Sequence, residues 1–415
     1  MKYIVFLGDG MADRAIPELN NRTPLMAAAK PNMDRLAQSG LAGMVLTVPA
    51  ELAPGSDTAN MSVMGYDPRR YYTGRSPLEA ISMSIEMEPG DVAFRCNLVT
   101  LSDAAEYDDR MMVDYSADEI GSDEAARLIE AVNQHFADDE IRFYPGKSYR
   151  HCLIWKNGPL ELGLVPPHDI LTRRIGEYLP VGKQAGRLQQ MMAESAGFLA
   201  GHPVNRTRCK NQLKPANSIW IWGQGTKPDL PDLASLYCLK GSVICAVDLI
   251  KGLGICAGLH IVEVPGVTGN IHTNFSGKAE AAIQEFRRGQ DYVYLHVEAP
   301  DECGHRAEIA NKVRSIELID SKIIGPVWDY LEANRQDTGE DYRILVLPDH
   351  PTPVSLRTHT GEPVPFACYS SDGRDFLPAQ AYDEINCSQT GYFLDEGHQL
   401  FARLIRDGFK SVQPE

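Results

Sequence analysis

Three short apolar segments of the chain are each followed within a few residues by a carboxylate. The carboxylates are Asp9, Asp301 and Asp349, and histidines accompany the last two as His305 and His350. Ligands of open α/β sheets bind beyond the carboxyl ends of the strands, so we expect these side chains to meet at one edge of a sheet. Asp9 taken alone could equally be a turn residue. The prediction therefore depends on the recurrence of the pattern.

Two further residues have the chemistry to join this site. Ser56 follows a Pro-Gly turn and is predicted to lie at or beside a helix N-terminus, where backbone N–H groups favour an anion or an alkoxide. The alternative is that Ser56 is a plain N-cap residue. His359 lies in a proline-rich loop. Asp301 and His305 are four residues apart and would share one face of a helix.

Three aspartates, three histidines and one serine form a donor set that suits two divalent metal ions. Mn²⁺ is the expected ion, with Mg²⁺, Zn²⁺ or Co²⁺ as alternatives. The charges balance, because two divalent ions offset three carboxylates and one serine alkoxide. Such a pair of ions can activate a serine and hold a phosphoryl group for in-line displacement.

The elements that position these residues fall into two classes. Near-continuous apolar strands occur at the N-terminus and again from residue 241, which is typical of a parallel sheet covered on both faces. The region between them has strands with alternating polar positions, which favours an antiparallel or mixed sheet. We therefore predict a discontinuous α/β core, residues 1–74 and 241–415, with a smaller α/β domain, residues 75–240, inserted in it.

Composition limits the classes of partner. The formal net charge of −16 argues against nucleic-acid or anionic-membrane surfaces, because both require basic footprints, but it allows a small anionic substrate. The nine cysteines show no Cys-x-x-Cys pair, which favours reduced, mostly buried thiols. The N-terminal apolar segment is too short for a signal peptide, and the apolar segment 243–264 contains Asp248, Lys251 and His260. We expect a cytoplasmic protein without a membrane span.

Five motifs together carry a specific resemblance. They are Gly-Asp-Gly, Pro-Gly-Ser-Asp-x-x-Asn, Glu-Ala-Pro-Asp-x-x-Gly-His, Pro-Asp-His and His-Thr-Gly-Glu-Pro-Val-Pro-Phe. This set resembles the alkaline phosphatase superfamily and, within it, the cofactor-independent phosphoglycerate mutases of archaeal type. Gly-Tyr-Asp-Pro, Tyr-Thr-Gly-Arg-Ser-Pro-Leu-Glu-Ala and Phe-Arg-Cys-Asn-Leu-Val-Thr extend the match over nearly the whole chain. The resemblance implies a doubly wound, mostly parallel sheet in the core.

The resemblance also implies a mechanism. Phosphoglycerate would pass its phosphoryl group to Ser56, and the bound glycerate would reorient and take it back on its other hydroxyl, without 2,3-bisphosphoglycerate. The inserted domain would close over the substrate and exclude water. A phosphate-contacting lysine of the core is matched by Lys251, with Lys278 as the alternative. The implied ligands are Asp9, Ser56, Asp349 and His350 for one ion, and Asp301, His305 and His359 for the other.

The residues that would contact the rest of the substrate are expected in the inserted domain. Arginine-rich motifs of the bacterial members are not visible in this chain. The archaeal pattern offers Arg95 or Arg150 to hold the carboxylate or phosphate of the substrate. It offers His168 or Asp169 to move the proton of the glycerate hydroxyl. A surface or structural role is the alternative for each of the four.

The leading hypothesis is therefore an isomerase that interconverts 3- and 2-phosphoglycerate. If water accepts the phosphoryl group the protein is a phosphatase, and if another alcohol accepts it the protein is a phosphotransferase, for example a homoserine kinase-like enzyme. A metal-binding relative with a dead site is disfavoured, because competent residues fill all seven ligand-type positions. A Gly-x-x-x-x-Gly-Lys-[Ser/Thr] loop is absent from the sequence, which counts against an ordinary kinase. The oligomeric state stays open.

Overall fold

The computed structural model describes residues 1–374 and 376–409. The chain divides into a core unit, residues 1–72 and 229–415, and an inserted unit, residues 73–228. The inserted unit ends earlier than the predicted boundary at residue 240. The segment after it belongs to the core, because the Tyr66 hydroxyl donates to the carbonyl of Pro231 (2.7 Å) and the Leu233 N–H donates to that of Ala257 (3.0 Å).

The strands are short, as apolar segments of four to ten residues bounded by turns predict. In chain order they are β1 Lys2–Gly8, β2 Leu41–Val45, β3 Val92–Leu101, β4 Met112–Asp114, β5 Ile141–Tyr144, β6 Arg150–Trp155, β7 Leu162–Gly163, β8 Val181–Gly182, β9 Ser218–Thr226, β10 Gly241–Ile244, β11 His260–Ile261, β12 Tyr292–Val297, β13 Tyr342–Leu347, β14 Val364–Ser370 and β15 Phe393–Leu394.

The helices alternate with the strands, and several begin at a proline, whose fixed φ suits the first helical turn. In chain order they are α1 Pro24–Ala27, α2 Pro31–Ser39, α3 Ser56–Val63, α4 Pro68–Tyr71, α5 Ser76–Ser82, α6 Ser122–Phe136, α7 Ala185–Leu199, α8 Pro203–Lys210, α9 Leu233–Tyr237, α10 Asp248–Cys256, α11 Phe275–Arg287, α12 Ala299–His305, α13 Ile309–Ile319, α14 Gly325–Thr338, α15 Glu384–Ser388 and α16 Gln399–Ala402. Short 3₁₀ segments are Pro17–Leu19, Tyr107–Asp109, Pro167–Ile170 and Ile175–Tyr178, and π-helical turns are Asp320–Ile324 and Arg403–Asp407.

The core unit is organised around an eight-stranded sheet. Its strand order is β11-β10-β12-β1-β13-β14-β2-β15. The first five strands in this order are parallel, whereas β14 is antiparallel to both of its neighbours. Every residue of β1, β12 and β13 is buried, which explains why these strands are mostly apolar. The predicted mostly parallel α/β core is confirmed.

Helices cover the central strands of this sheet. Phe6 on β1 packs in one hydrophobic cluster with Leu36 of α2, Phe286 of α11, Ile316 of α13 and Trp328 of α14. Truncation of such a fully buried side chain costs about 2–5 kcal/mol. The central strands are thereby held firmly at the edge where the predicted ligands follow them.

The inserted unit is built on a five-stranded sheet in which β3 pairs with β4, β6 and β9, and β5 pairs with β6. All of these pairs are antiparallel. Leu128 of α6 and Leu188 of α7 pack with Phe94 of β3 in a separate hydrophobic cluster. The inserted unit therefore has a core of its own.

Two composition-based expectations bear on the whole chain. None of the nine cysteines, all of which lie among the described residues, forms a disulfide, and seven of them are buried, as expected for reduced, mostly buried thiols. Among the described residues, none of the helices combines the length and the apolar character that crossing a bilayer requires.

Candidate active site

The strands that carry the predicted ligands are neighbours at the centre of the large sheet. β1 pairs in parallel with β12 on one side and with β13 on the other. Asp9 follows β1, and its backbone N–H donates to the carbonyl of Val297 at the end of β12 (2.9 Å). Asp301 lies in α12 just after β12, and Asp349 follows β13. Parallel strands end at the same edge of a sheet, so the three aspartates converge there.

The first ligand group consists of Asp9, Asp349 and His350, whose ligand atoms all lie within 4.8 Å of one another. All three side chains are buried. His350 Nε2 lies 3.7 Å from Asp9 Oδ1 and 3.4 Å from Asp349 Oδ2. The backbone N–H of Gly10 donates to Asp349 Oδ1 (3.1 Å) and orients that carboxylate.

Ser56 is the first residue of α3, and its hydroxyl faces the first ligand group. Its Oγ lies 3.4 Å from Asp9 Oδ2 and 3.2 Å from His350 Nε2. The N-cap position belongs to Gly55, and no side-chain cap bond is made there. The alternative interpretation of Ser56 as a plain N-cap is therefore wrong. Its hydroxyl is placed where the helix N-terminus favours an alkoxide.

The second ligand group consists of Asp301, His305 and His359, again with ligand atoms within 4.8 Å. His305 Nε2 lies 3.2 Å from Asp301 Oδ2, and His359 Nε2 lies 3.4 Å from Asp301 Oδ1. The two Nε2 atoms are 2.9 Å apart. His305 Nδ1 donates to the carbonyl of Arg357 (3.0 Å), and the hydrogen bond with Asp301 raises the pKa of His305 to about 9, so Nε2 donates to Asp301 until a cation takes the place of its proton. Imidazole nitrogens and a carboxylate directed at one point are typical of a cation site.

The charges of the two groups fit a cation in each. Burial and then the charge of Asp349 raise the pKa of Asp9 well above its usual range. Asp9 Oδ1 is buried without a hydrogen-bond partner among the described residues. Burial opposes ionisation of Asp301, but hydrogen bonds from His305 and His359 lower its pKa well below the usual range. These oxygen and nitrogen donors suit divalent ions such as Mn²⁺, Mg²⁺ or Zn²⁺.

Residues that sequence reasoning missed support the first group from behind. Asn60 Nδ2 donates to Asp349 Oδ2 (2.8 Å) and to the carbonyl of Ser56 (2.8 Å), and the Tyr294 hydroxyl donates to Asn60 Oδ1 (2.6 Å). His296 Nε2 lies 3.0 Å from Asp9 Oδ2. Burial lowers the pKa of His296 to about 3, so the neutral ring donates this hydrogen bond to the carboxylate.

Only one of these supporting residues had a signal in the sequence. Asn60 is the last residue of the Pro-Gly-Ser-Asp-x-x-Asn motif. Tyr294 and His296 carry polar atoms inside the mostly apolar segment of β12. The hydrophobic pattern of a buried strand does not indicate which residues such polar atoms contact. Their role depends on which strand lies beside β12, which is a tertiary property.

In the inserted unit the structure groups Arg95 and Arg150 with two other charged residues. We call Arg75, Glu79, Arg95 and Arg150 the arginine cluster. Arg95 Nε donates to Glu79 Oε2 (2.8 Å), and Arg75 Nε donates to Glu79 Oε1 (3.2 Å). Burial opposes ionisation of Glu79, but Arg95 first, then Arg75 and Arg150, lower its pKa. Three guanidinium groups around one carboxylate leave excess positive charge, which favours an anion.

His168 lies beside this cluster through a shared aromatic ring. The guanidinium of Arg95 stands 4.7 Å from the centre of the Trp222 ring, and the His168 ring stands 5.4 Å from it. His168 Nε2 lies 3.7 Å from Asp169 Oδ1, and about half of each of these side chains is exposed. Burial lowers the pKa of His168, which favours the neutral imidazole near pH 7. The structure thus brings two of the four predicted substrate contacts, Arg95 and His168, to one ring.

The two candidate lysines lie in different environments. Lys251 Nζ forms an ion pair with Glu263 at 2.8 Å. Lys278 is fully buried, and its Nζ donates to the carbonyl of His296 (2.6 Å). Within the described part of the chain, neither lysine hydrogen-bonds to Ser56. The contacts of Lys251 are those of a structural ion pair, whereas Lys278 adjoins the backbone that carries His296.

Comparison with known sequences gives a consistent family. A family model described as 2,3-bisphosphoglycerate-independent phosphoglycerate mutase matches residues 37–205. A protein of Methanothrix thermoacetophila with the same description is 48% identical over 405 residues, which are 98% of this chain and 100% of the relative.

Two solved structures are similar along nearly the whole chain. A protein from Pyrococcus horikoshii superposes with a TM-score of 0.81 at 27% identity, covering 97% of this chain and 96% of the other. A cofactor-independent phosphoglycerate mutase from Thermoplasma acidophilum superposes with a TM-score of 0.66 at 26% identity, covering 97% of this chain and 99% of the other. Both support the mostly parallel α/β fold.

Proposed function

The chain belongs to the 2,3-bisphosphoglycerate-independent phosphoglycerate mutases, and on that premise we propose that it interconverts 3- and 2-phosphoglycerate through a phosphorylated Ser56. It is an enzyme of the isomerase class, and its substrate is a small anionic phosphoester. The observation that carries the proposal is the position of Ser56 Oγ, 3.4 Å from Asp9 and 3.2 Å from His350. A hydroxyl that caps no helix and faces a ligand group is available as a nucleophile.

The two ligand groups would hold two divalent ions, for which Mn²⁺ is our first candidate. When bound, such ions would lower the pKa of the serine hydroxyl and neutralise charge on the transferring phosphoryl group. The first ion would be held by Asp9, Ser56, Asp349 and His350, and the second by Asp301, His305 and His359.

The reaction balances with these residues alone and consumes no water. The Ser56 hydroxyl loses its proton, its Oγ attacks the phosphorus of 3-phosphoglycerate, the bond from phosphorus to the 3-oxygen of glycerate breaks, and that oxygen takes up a proton. The 2-hydroxyl of glycerate then loses its proton and attacks the phosphorus of phosphoserine. The bond from phosphorus to Ser56 Oγ breaks, and Oγ takes up a proton, which restores Ser56. In the reverse reaction, 2-phosphoglycerate donates the phosphoryl group to Ser56 and the 3-hydroxyl of glycerate takes it back.

The inserted unit supplies residues for the rest of the substrate in this proposal. Arg95 is held by Glu79, whereas the Arg150 guanidinium, 5.8 Å from the ring of Tyr149, has no carboxylate within hydrogen-bond range among the described residues. Arg150 is therefore our candidate for the substrate carboxylate, with Arg95 oriented beside it. His168, aided by Asp169, is our candidate to carry the proton between the glycerate hydroxyls. Lys278 replaces Lys251 as the more suitable lysine, because Glu263 already neutralises Lys251.

The proposal is tested by incubating the Mn²⁺-loaded protein with 3-phosphoglycerate in the absence of 2,3-bisphosphoglycerate. Phosphorus NMR follows the products, and mass spectrometry of acid-quenched samples locates any phosphorylated residue. We expect 2-phosphoglycerate with little free phosphate, together with phosphate on Ser56. Ser56→Ala should lower the rate by at least about 10⁴-fold, because the nucleophile is removed.

Ser62→Ala is a matched control, because Ser62 is buried on the same helix and its hydroxyl lies outside the ligand groups. This variant should retain most of the activity. Accumulation of inorganic phosphate in place of 2-phosphoglycerate would mean that water is the acceptor and that the enzyme is a phosphatase. Full activity of Ser56→Ala would contradict the phosphoserine route itself.

A further inference from the structure

A fully buried threonine lies between the two ligand groups without belonging to either. The Thr352 hydroxyl donates to Asp301 Oδ1 at 2.5 Å. A hydroxyl has only one hydrogen, so the contact of 3.3 Å with His350 Nδ1 must have the imidazole N–H as its donor. This assignment leaves the lone pair of His350 on Nε2, which is the atom that faces Ser56. One hydroxyl thus determines the tautomer of a first-group ligand and the orientation of a second-group ligand.

Two glycines leave the threonine no room to move. A Cβ at Gly10 would lie 2.6 Å from Thr352 Oγ1 and 2.7 Å from the Cα of Asp301. A Cβ at Gly304 would lie 2.5 Å from the carbonyl oxygen of Thr352 and 2.8 Å from its methyl group. Gly10 also has φ near +62°, a conformation that other residues rarely adopt. The loop after β1 and the end of α12 therefore close on Thr352 from two sides.

A buried lysine joins the same segments from behind. Lys312 of α13 is fully buried, and its Nζ donates to the carbonyl of Thr352 (2.7 Å), to Asp13 Oδ2 (2.7 Å) and to the carbonyl of Ala12 (3.4 Å). Asp13 Oδ2 also accepts from the backbone N–H of Val354 (3.2 Å). All three ammonium hydrogens are used, so the charge is satisfied without solvent.

These contacts connect every strand end that supplies a metal ligand. Ala12 and Asp13 follow Asp9, Thr352 follows His350, and Lys312 lies in the helix after α12. A buried ion pair is weak evidence for stability, since desolvation offsets most of its attraction. The place of this pair, where it joins the segments that follow the candidate ligands, points to a positioning role.

We propose that Thr352 and Lys312 are positioning residues that set the two ligand groups at their working separation before any ion binds. The inference rests on the proposed two-ion function, because the groups that it positions are the proposed ligands. Residues that orient metal ligands typically contribute about 10- to 100-fold to metal affinity. Thr352 acts through a hydroxyl and Lys312 through the loops, so the two residues can be tested separately.

The experiment is a calorimetric titration of the full-length, chelator-stripped protein with MnCl₂, without substrate. Thr352→Val keeps the shape of the side chain and removes the hydroxyl, and we expect it to weaken binding of at least one ion by about 10- to 100-fold. Thr352→Ser restores the hydroxyl and should restore the affinity to within about threefold of wild type. Thr100→Val is the matched control, because Thr100 is buried in the inserted unit and its hydroxyl donates to Pro215 (2.8 Å).

Wild-type affinity in Thr352→Val would overturn the inference for the threonine, and failure of Thr352→Ser to recover would do the same. The double variant Lys312→Met with Asp13→Asn removes both charges of the ion pair and tests the lysine, also if Thr352→Val does not fold. Its affinity should fall by about tenfold or more, and an unchanged affinity would overturn that part. If wild-type protein itself bound no divalent ion, the proposed two-ion function would fail first.

Discussion

The core unit and the inserted unit each gather charged side chains, but with opposite sign and by different routes. In the core, three aspartates and three histidines come from strand ends far apart in the chain and form the two ligand groups. In the inserted unit, the arginine cluster is local. Glu79 lies on α5, Arg75 directly precedes that helix, and Arg95 and Arg150 lie on the paired strands β3 and β6. One cluster suits divalent cations, and the other suits a small anion.

In the proposed reaction the two clusters would perform different tasks. Phosphoryl transfer requires positive charge at the phosphorus, which ions bound at the core ligand groups would supply. Recognition of the glycerate carboxylate favours planar donors, which the arginine cluster would supply. A variant of the core site should therefore reduce turnover and metal content together, whereas a variant of the arginine cluster should reduce substrate affinity alone.

The largest expected effect comes from a substitution in the ligand groups of the core unit. Asp301→Asn removes the only carboxylate of the second ligand group and should lower kcat by at least about 10³-fold, because charge on the transferring group is no longer neutralised. Elemental analysis should show that about one divalent ion per chain is lost. Glu302→Gln, which changes the neighbouring acid paired with Arg306 at 2.7 Å, should leave both quantities near wild type. Unchanged kcat in Asp301→Asn would refute the assignment of the second group.

An intermediate effect is expected from the inserted unit. Arg150→Met should raise the KM for 3-phosphoglycerate by about 10- to 100-fold, since a charge-assisted hydrogen bond to the substrate is lost. Metal content should not change, and kcat should change less than KM. Arg142→Met is the matched control, because Arg142 is exposed on the adjacent strand and stands 5.7 Å from the Tyr144 ring. An equal rise of KM in the two variants would mean that only overall charge matters.

The smallest expected effect is on the pH dependence of stability, and it comes from a buried histidine of the inserted unit. His151 is buried in the inserted unit, and burial lowers its pKa to about 3. The unfolded chain, with a histidine pKa of about 6.5, binds a proton that the folded chain does not, so stability falls as the pH falls through this window. Between pH 6.5 and pH 5.5 the loss should be about 1 kcal/mol, because the unfolded chain is already half protonated at the start of this step.

Chemical denaturation at several pH values measures this loss. His151→Asn retains an acceptor for the N–H of Gly146, which His151 Nδ1 accepts at 3.0 Å, but it cannot titrate. The free energy of unfolding of this variant should fall by about 1 kcal/mol less than that of wild type over the same pH step. Parallel curves for the two proteins would show that the pKa of His151 does not change on folding.

Much of the core could be predicted from local pattern. The apolar segment 292–297 is the strand β12 itself, and the candidate ligands after β1, β12 and β13 were visible because a carboxylate follows each such segment within a few residues. The boundary at residue 240 was less accurate, because the segment 229–240 has no apolar pattern that assigns it to either unit. Its contacts with Tyr66 and Ala257 do so instead.

The role of Ser56 could not be predicted from the local sequence pattern. The sequence predicted the start of a helix, which α3 confirms. Residue type and position alone do not distinguish a serine that caps a helix from a serine that acts as a nucleophile. The two roles differ in where the hydroxyl points, and Asp9 and His350 decide that.

The amino-acid sequence by itself determined the donor set, the strand pattern and the resemblance to a family, because these depend on residue type and on short-range spacing. Only the tertiary structure decided which strands are neighbours, and with that which residues support the ligands. His296 reaches Asp9 because β12 lies beside β1, and Thr352 reaches Asp301 because two glycines admit it. Each of these contacts joins two residues that lie about 50 to 300 positions apart in the chain. Contacts between such distant residues produce no periodic pattern in a sequence.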